Sequence, residues 1–182
     1  LEELARRFHD HPMGAEFGRL AMRIGIASGP VFVGDYGSEN KLDYTCVGDT
    51  VNLASRLEGA NKAFGSRILI SGTTFQAVRE MFVCRYLGLL QVVGQSVAVP
   101  VYELLGRAGE VDEAVLRYAR AFEEAVGAFS LRDFPNSGRG FEHCLSLRPQ
   151  DPGAQRYLRV IRAFDGQSPP EDWRPVLELS EK

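Results

Sequence analysis

The sequence predicts an α+β fold in two parts, a sandwich of strands and helices over residues 1–106 and an all-α tail over residues 107–182. Three observations carry this. Up to Leu105, stretches rich in β-formers are interleaved with stretches of helical spacing. "GRAGEVDEA" then forms a short polar linker. From about residue 112 onward only helical periodicity remains.

The elements follow in order. "LEELARRF" has apolar residues at 1, 4, 5 and 8, the spacing of a helix, and "HDHPMG" breaks it at Pro12 and Gly14. His9 and His11 have no third ligand beside them and read as a solvated loop rather than a metal site. "LAMRIGIAS" alternates and reads as a strand. Gly29-Pro30 turns it, and "VFVGDYG" reads as its hairpin partner. "SENKL" is a polar loop. A short strand at "DYTCV" leads into the helix "GDTVNLASRLEGANKAFG", with Asp49 placed as its cap and Gly65 as its stop. "RILIS" is a buried strand, and "GTTFQAVREMF" is a helix with Thr73 or Thr74 near its start. "CRYLGLLQVV" and "VAVPVYELL" form a closing antiparallel pair around Gly94-Gln95-Ser96, which completes the order βββαβαββ.

In the tail, "EAVLRYARAFEEAVGAFSLRDF" is one helix and "PNSGRGFEHCLSLRP" a second, periodic at Phe141, Cys144, Leu145 and Leu147. "DPGAQRYLRVIRAF" is a third, with Asp151 as N-cap and Pro152 at the first helical position. The Pro-rich "DGQSPPEDW" ends it, and Trp173 reads as a hydrophobic staple on the helical pair, with a partner site as the alternative.

Composition narrows the function. The net charge of −3 does not call for nucleic acid or an anionic membrane surface. Cys46, Cys84 and Cys144 are odd in number and form no C-x-x-C pair, which fits free thiols in a reducing cytoplasm. No apolar run approaches the roughly 20 residues a membrane span needs, and the opening residues do not read as a signal peptide. The chain opens on Leu1 in what reads as the end of a helix, so the expectation is a start inside a domain, with any upstream membrane anchor lying beyond it.

The helix that follows Asp49 carries the chemistry. Val51, Leu53, Ala54 and Leu57 form its apolar stripe, and Asn52 and Arg56, four residues apart, project side by side from an adjacent face. An amide and a guanidinium at that spacing can grip two oxygens of one phosphate-bearing ligand near the positive end of the helix dipole. The alternative is that both only bond neighbouring backbone and Glu58.

The longer string "RIGIASGPVFVGDYGSENKLDYTCVGDTVNLASRLE" closely resembles the C-terminal half of a class III nucleotidyl cyclase catalytic domain. The resemblance runs from about Met22 to Leu105, through G-I-x-S-G-x-V-x-x-G, the D-Y-T…G-D-T-V-N-x-A-S-R-L-E run and V-x-V-Y-E-L. It implies a ferredoxin-like cyclase sandwich truncated at its N-terminus, acting on ATP. It implies that Asn52 orients the ribose and that Arg56 stabilises charge on the α-phosphate as the 3′-oxygen attacks. Thr45, seven residues before Asn52, matches the base-selecting position, where Thr occurs in a bacterial subset resembling adenylyl cyclases. Cys46 is one position off the guanine-type Cys. The resemblance also implies two Mg²⁺ or Mn²⁺ ions held by aspartates of the N-terminal half, which this chain does not contain. It implies a head-to-tail homodimer as well, with one protomer's metal carboxylates facing the other's Asn and Arg.

Two departures stand out. Val93-Gly94-Gln95 replaces the family's Lys-Gly-Lys-like turn, and the metal-binding aspartates are missing. The tail resembles a tetratricopeptide unit at "FEEAVGAFSLRDFPNSGRGFEHCLSLRPQDPGAQRYLRVI". One and a half units bury no continuous core, so the tail is expected to dock on the preceding domain, a second copy or a protein partner. Such an extension resembles those behind the cyclase domains of bacterial membrane receptors with CHASE-type sensors. The leading expectation is an adenylyl cyclase whose fragment alone is inactive. The rivals are a degenerate, non-catalytic regulatory or dimerisation module, and a scaffold acting through its tail.

Overall fold

The computed structural model describes residues 22–38, 41–91 and 97–178. The expected helix at 1–8, the His9–His11 loop and the Val93-Gly94-Gln95 turn lie outside the described residues. Along the chain come β1 (Ile24–Ile26), β2 (Phe32–Ser38), β3 (Lys41–Val47), α1 (Asp49–Phe64), β4 (Ile68–Ser71), α2 (Gly72–Val78), β5 (Phe82–Gln91) and β6 (Val99–Arg107). The tail adds α3 (Glu113–Ser130), α4 (Phe134–Leu147), α5 (Pro152–Ala163) and β7 (Val176–Glu178). One sheet has the order β1-β4-β6-β5-β7, and β2 and β3 form a separate two-stranded ladder.

The order βββαβαββ holds through β6, but the first pairing differs from expectation. β1 does not form a hairpin with β2. It lies parallel to β4, Ile24 opposite Ile68 and Ile26 opposite Ile70. The partner of β2 is β3, from Phe32 opposite Val47 to Ser38 opposite Lys41. The Gly29-Pro30 segment turns the chain out of the sheet instead of back along it. Thr50 Oγ1 donates to the Pro30 carbonyl at 2.9 Å, and the Ser28 and Thr74 hydroxyls lie 2.9 Å apart, which pins that loop against α1 and α2. The "SENKL" loop shrinks accordingly, because Ser38 and Lys41 are already paired. With β2–β3 set aside as an arm, α1 is the crossover that a parallel β1–β4 pair requires.

The sheet has two covered faces. Leu69, Leu87, Leu90 and Val101 join Leu57 and Phe64 of α1 and Tyr118, Phe122 and Tyr157 of the tail in one core. On the opposite face Phe75 of α2 stacks on Tyr102, with ring centroids 3.9 Å apart. The core therefore does not stop at residue 106.

The tail is also not all-α, because its last element, β7, pairs in parallel with β5, Leu89 opposite Val176 and Gln91 opposite Glu178. Upstream of β7 the same edge of β5 is covered by side chains. The Tyr86 backbone N–H donates to Glu123 of α3 at 2.8 Å. Tyr157 of α5 donates its hydroxyl to the Leu87 carbonyl at 2.7 Å, beside a register shift in the β5–β6 ladder. Gly88 makes room for that hydroxyl: it has φ 107°, and a Cβ there would lie 2.2 Å from it.

Arg85 of β5 joins the two parts from inside. Its side chain is 2% exposed. Its Nε and one terminal nitrogen donate to Glu103 of β6 at 2.8 and 2.7 Å, and the other terminal nitrogen donates to the Tyr118 hydroxyl at 2.8 Å and to Asp151 at 3.3 Å. The guanidinium also lies 4.4 Å from the Phe122 ring centroid. Burial opposes the charge on Arg85, but Glu103, Tyr118 and Asp151 outweigh it and its pKa rises. Burial likewise pushes the Glu103 carboxyl up, against the pull of Arg85. At the far end Trp173 packs edge-on against Phe129, Phe134 and Phe164 at 5.2, 5.3 and 5.9 Å, which makes it a staple of the helices.

Removing Arg85 strands two carboxylates in the core. Arg85→Ala is expected to lower unfolding free energy by about 3–5 kcal/mol in urea titration. The thiols offer a second check, since Cys46 is exposed while Cys84 and Cys144 are each pushed up to about 11, chiefly by burial. At pH 8, Ellman's reagent should label Cys46 rapidly and the other two only on unfolding, with the fast phase abolished by Cys46→Ser.

Candidate functional site

The candidate site is built on the junction of β3 and α1. Gly48 ends the strand and serves as N-cap, with no side-chain cap bond, so Asp49 is the first helical residue rather than the cap. There its charge complements the helix dipole. At the other end Gly65 takes the left-handed conformation and closes the helix.

Two close approaches seat α1 on β1. A Cβ on Gly25 would lie 2.0 Å from the Ala54 carbonyl oxygen and 2.4 Å from the Glu58 nitrogen, so strand and helix meet backbone to backbone. Asn61 is fully buried. Its amide donates to the Ile24 carbonyl at 3.0 Å and to the Leu57 and Glu58 carbonyls at 3.0 and 3.2 Å, and its oxygen accepts from Ser66 at 2.8 Å. Every polar atom of that side chain is thus engaged in holding the helix to the sheet.

Asn52 and Arg56 stand on this fixed helix. Asn52 is exposed and Arg56 half-buried. Among the described residues neither side chain has a hydrogen bond or ion pair. Glu58, the alternative partner for Arg56, instead receives Arg23 Nε at 3.0 Å. The amide and guanidinium are therefore available to a ligand.

Thr45 lies on β3 opposite Gly34, and both strands of that arm are exposed around it. Strand alternation sends Cys46 to the other face of the ladder, so it cannot substitute for Thr45. The arm is apolar on both faces. Phe32 and Tyr36 are 75% and 40% exposed on the Thr45 face, and Val33, Leu42 and Tyr44 are 56%, 62% and 76% exposed on the other. Among the described residues no three His, Cys, Asp or Glu side chains come together, so they do not fit a metal cage.

This geometry coincides with a family signature. Residues 5–106 match the family model for the adenylate and guanylate cyclase catalytic domain, which is more than half of the chain, and the chain belongs to that family. Among curated relatives, Adenylate cyclase 1 of Rhizobium meliloti (strain 1021) is 38% identical over 106 residues, covering 58% of this chain and 16% of that protein. The terminal-differentiation-specific adenylate cyclase of Dictyostelium discoideum is 30% identical over 151 residues, covering 80% of this chain and 7% of that protein. That stretch cannot fit within residues 5–106 and so runs into the helical tail. The chain thus spans less than a fifth of either relative. Among solved structures, the adenylyl cyclase CyaB from P. aeruginosa aligns at 33% identity over 60% of this chain and 58% of that one, with a TM-score of 0.46.

Sequence reading singled out Asn52, Arg56 and Thr45, but not the residues that hold them. Asn61 sits among the helix's apolar positions, a buried-polar signal at helical spacing. Arg85 was equally visible as a lone charge in the strand "CRYLGLLQVV".

The division of labour between these side chains is testable by stability alone. Asn52→Ala and Arg56→Ala should each shift unfolding free energy by under about 0.5 kcal/mol, because they remove no hydrogen bond or ion pair. Asn61→Ala should cost about 1–3 kcal/mol by orphaning buried backbone and hydroxyl partners.

Proposed function

We propose that the chain is the C-terminal half of a nucleotidyl cyclase catalytic domain with adenylyl specificity, working at a head-to-tail dimer interface. The observation that carries this is a rigidly seated helix presenting an uncommitted Asn52 and Arg56, one turn apart, within a chain of the cyclase family.

In this reading Arg56 donates to the α-phosphate of ATP and Asn52 orients the ribose. The 3′-hydroxyl releases its proton to solvent as its oxygen bonds to the α-phosphorus, the bond to the bridging oxygen breaks with pyrophosphate leaving, and the Arg56 guanidinium meets the charge that builds on the phosphoryl oxygens. Thr45 hydrogen-bonds the base edge. Mg²⁺ or Mn²⁺ would be held by aspartates outside this chain, and no step assigned to these residues runs through them. The exposed apolar arm of β2 and β3 supports a homodimer, since a two-stranded ladder open on both faces is poorly stable by itself. No helix of the described residues is long and apolar enough to cross a membrane, which is compatible with a cytoplasmic location.

Val93-Gly94-Gln95 in the sequence, where the family resemblance implies a Lys-Gly-Lys-like pattern, favours a second reading, a degenerate cyclase module that regulates without catalysis. Kinetics separate the two. In the full-length protein, Arg56→Ala should lower kcat by about two to three powers of ten with little change in KM, because the guanidinium acts on charge present only during attack. ATP should show the higher kcat/KM in competition with GTP. An inactive full-length protein, or an Arg56→Ala variant with unchanged kcat, would establish the regulatory reading instead.

A further inference from the structure

The helical tail touches the helix that carries Asn52 and Arg56. The last turn of α1 ends at Phe64, which is 1% exposed, and its cap is Gly65. A Cβ on Gly65 would lie 3.0 Å from Pro152 Cδ, the first residue of α5. A Cβ on Gly153 would lie 3.1 Å from Phe64 Cδ1 and 3.4 Å from Phe122. The C-terminal end of α1 is therefore seated on the N-terminal turn of α5, so closely that a methyl group on Gly153 would make its neighbours give by a few tenths of an ångström.

Asp151 sets the position of that turn. One carboxylate oxygen accepts from the Ala154 N–H at 2.8 Å and caps α5, and the other accepts from Arg85 at 3.3 Å. Arg85 in turn is held by Glu103 on the central strand β6. A line of contacts runs from the sheet through the buried Arg85 and Asp151 to the half-buried Pro152 and the buried Gly153, and on to the buried Phe64 and its exposed cap Gly65. Arg56 lies eight residues before Phe64 on the same helix, about 12 Å along its axis. The contact with β1 at Gly25 and Asn61 holds the middle of α1, and the contact with α5 holds its end. Two supports fix the tilt of a helix, where one leaves it free to pivot.

We propose that the tail is part of the catalytic apparatus: Asp151 and Gly153 are positioning residues that set the tilt of α1, and with it the reach of Asn52 and Arg56. This rests on the cyclase reading of that pair. It makes the tail an internal support of the site rather than a partner-binding appendage. The match to the Dictyostelium cyclase running into the tail agrees with the two parts forming one unit.

The test uses the full-length protein. Gly153→Ala presses a methyl group against Phe64 and the Asp151 carboxylate at 3.1 Å, while favouring helix formation in α5. Its kcat for ATP should fall about three- to tenfold with KM within twofold, since small displacements of a catalytic pair act on the reaction step. Gly127→Ala, in α3 with nothing within 4 Å of its new methyl group, should leave both unchanged. Asp151→Asn, which keeps a capping oxygen and weakens the link to Arg85, should lower kcat in the same way and speed amide exchange across residues 49–58. Unchanged kcat in both Asp151→Asn and Gly153→Ala would overturn the proposal. If the wild type itself made no cyclic nucleotide, the cyclase reading would fail separately. Amide exchange in α1 would then decide: faster exchange in Asp151→Asn sustains the mechanical link, and unaltered exchange refutes it.

Discussion

Without the tail, β5 would be the outer strand of the sheet, with an open backbone edge and a buried charge both in need of partners. Its Arg85 is enclosed by the core, where an unpaired guanidinium would be prohibitively costly, and its outer edge presents N–H and C=O groups along its length. Every partner it finds on that side comes from the tail. Glu123 takes the Tyr86 N–H, Tyr157 takes the Leu87 carbonyl, β7 pairs with residues 89–91, and Tyr118 and Asp151 share the guanidinium with Glu103. Once these are made, the aromatic residues of the helices have one place to pack. Phe122, Phe141 and Tyr157 complete the core begun by Leu57, Phe64 and Leu87. The stretch at residues 122–161 that resembles a helical repeat thus docks on the preceding domain, and the missing neighbours of a one-and-a-half-unit stack are supplied by a sheet.

The same packing explains the contrast around α1. Its inner face is committed everywhere: Gly25 admits the helix backbone, Asn61 spends all its hydrogen bonds, and Phe64 is sealed by α5. On its outer face the side chains of Asn52 and Arg56 make no hydrogen bond or ion pair among the described residues. A ligand-binding pair needs both conditions, because positioning comes from rigid support and binding capacity comes from free polar groups. The β2–β3 arm is uncommitted in a different sense. Its apolar residues face outward on both sides, so the surface beside Thr45 is suited to a second protein surface rather than to water.

How much of this could be read in the sequence varies by element. The helix at 49–64 and its glycine stop, the β5–β6 pair and the Asp151-Pro152 start of α5 were legible, because each is specified by local periodicity and capping chemistry. The pairing of β1 was not. Gly29-Pro30 looks like a hairpin turn locally, and only the hydrogen bonds of Thr50 and Ser28 to distant elements show that it sends the chain elsewhere. β7 was missed because three residues after a Pro-rich stretch carry no alternation of their own, and their strand character comes entirely from the β5 edge. At the site, Asn52, Arg56 and Thr45 were legible from spacing and family pattern. Their supports were not, since the roles of Asn61, Arg85 and Asp151 exist only between elements far apart in sequence.

The central claim is that sheet and tail are one cooperative structure closed around β5. Native-state hydrogen exchange at increasing urea tests it most directly, by comparing amides of Leu87 and Leu90 in β5 with those of Tyr157 and Leu158 in α5. A single structure predicts that all four exchange through the same opening, with the same free energy and the same urea dependence. Tail amides that open at clearly lower free energy while β5 stays protected would contradict it, and would make the helices an appendage after all.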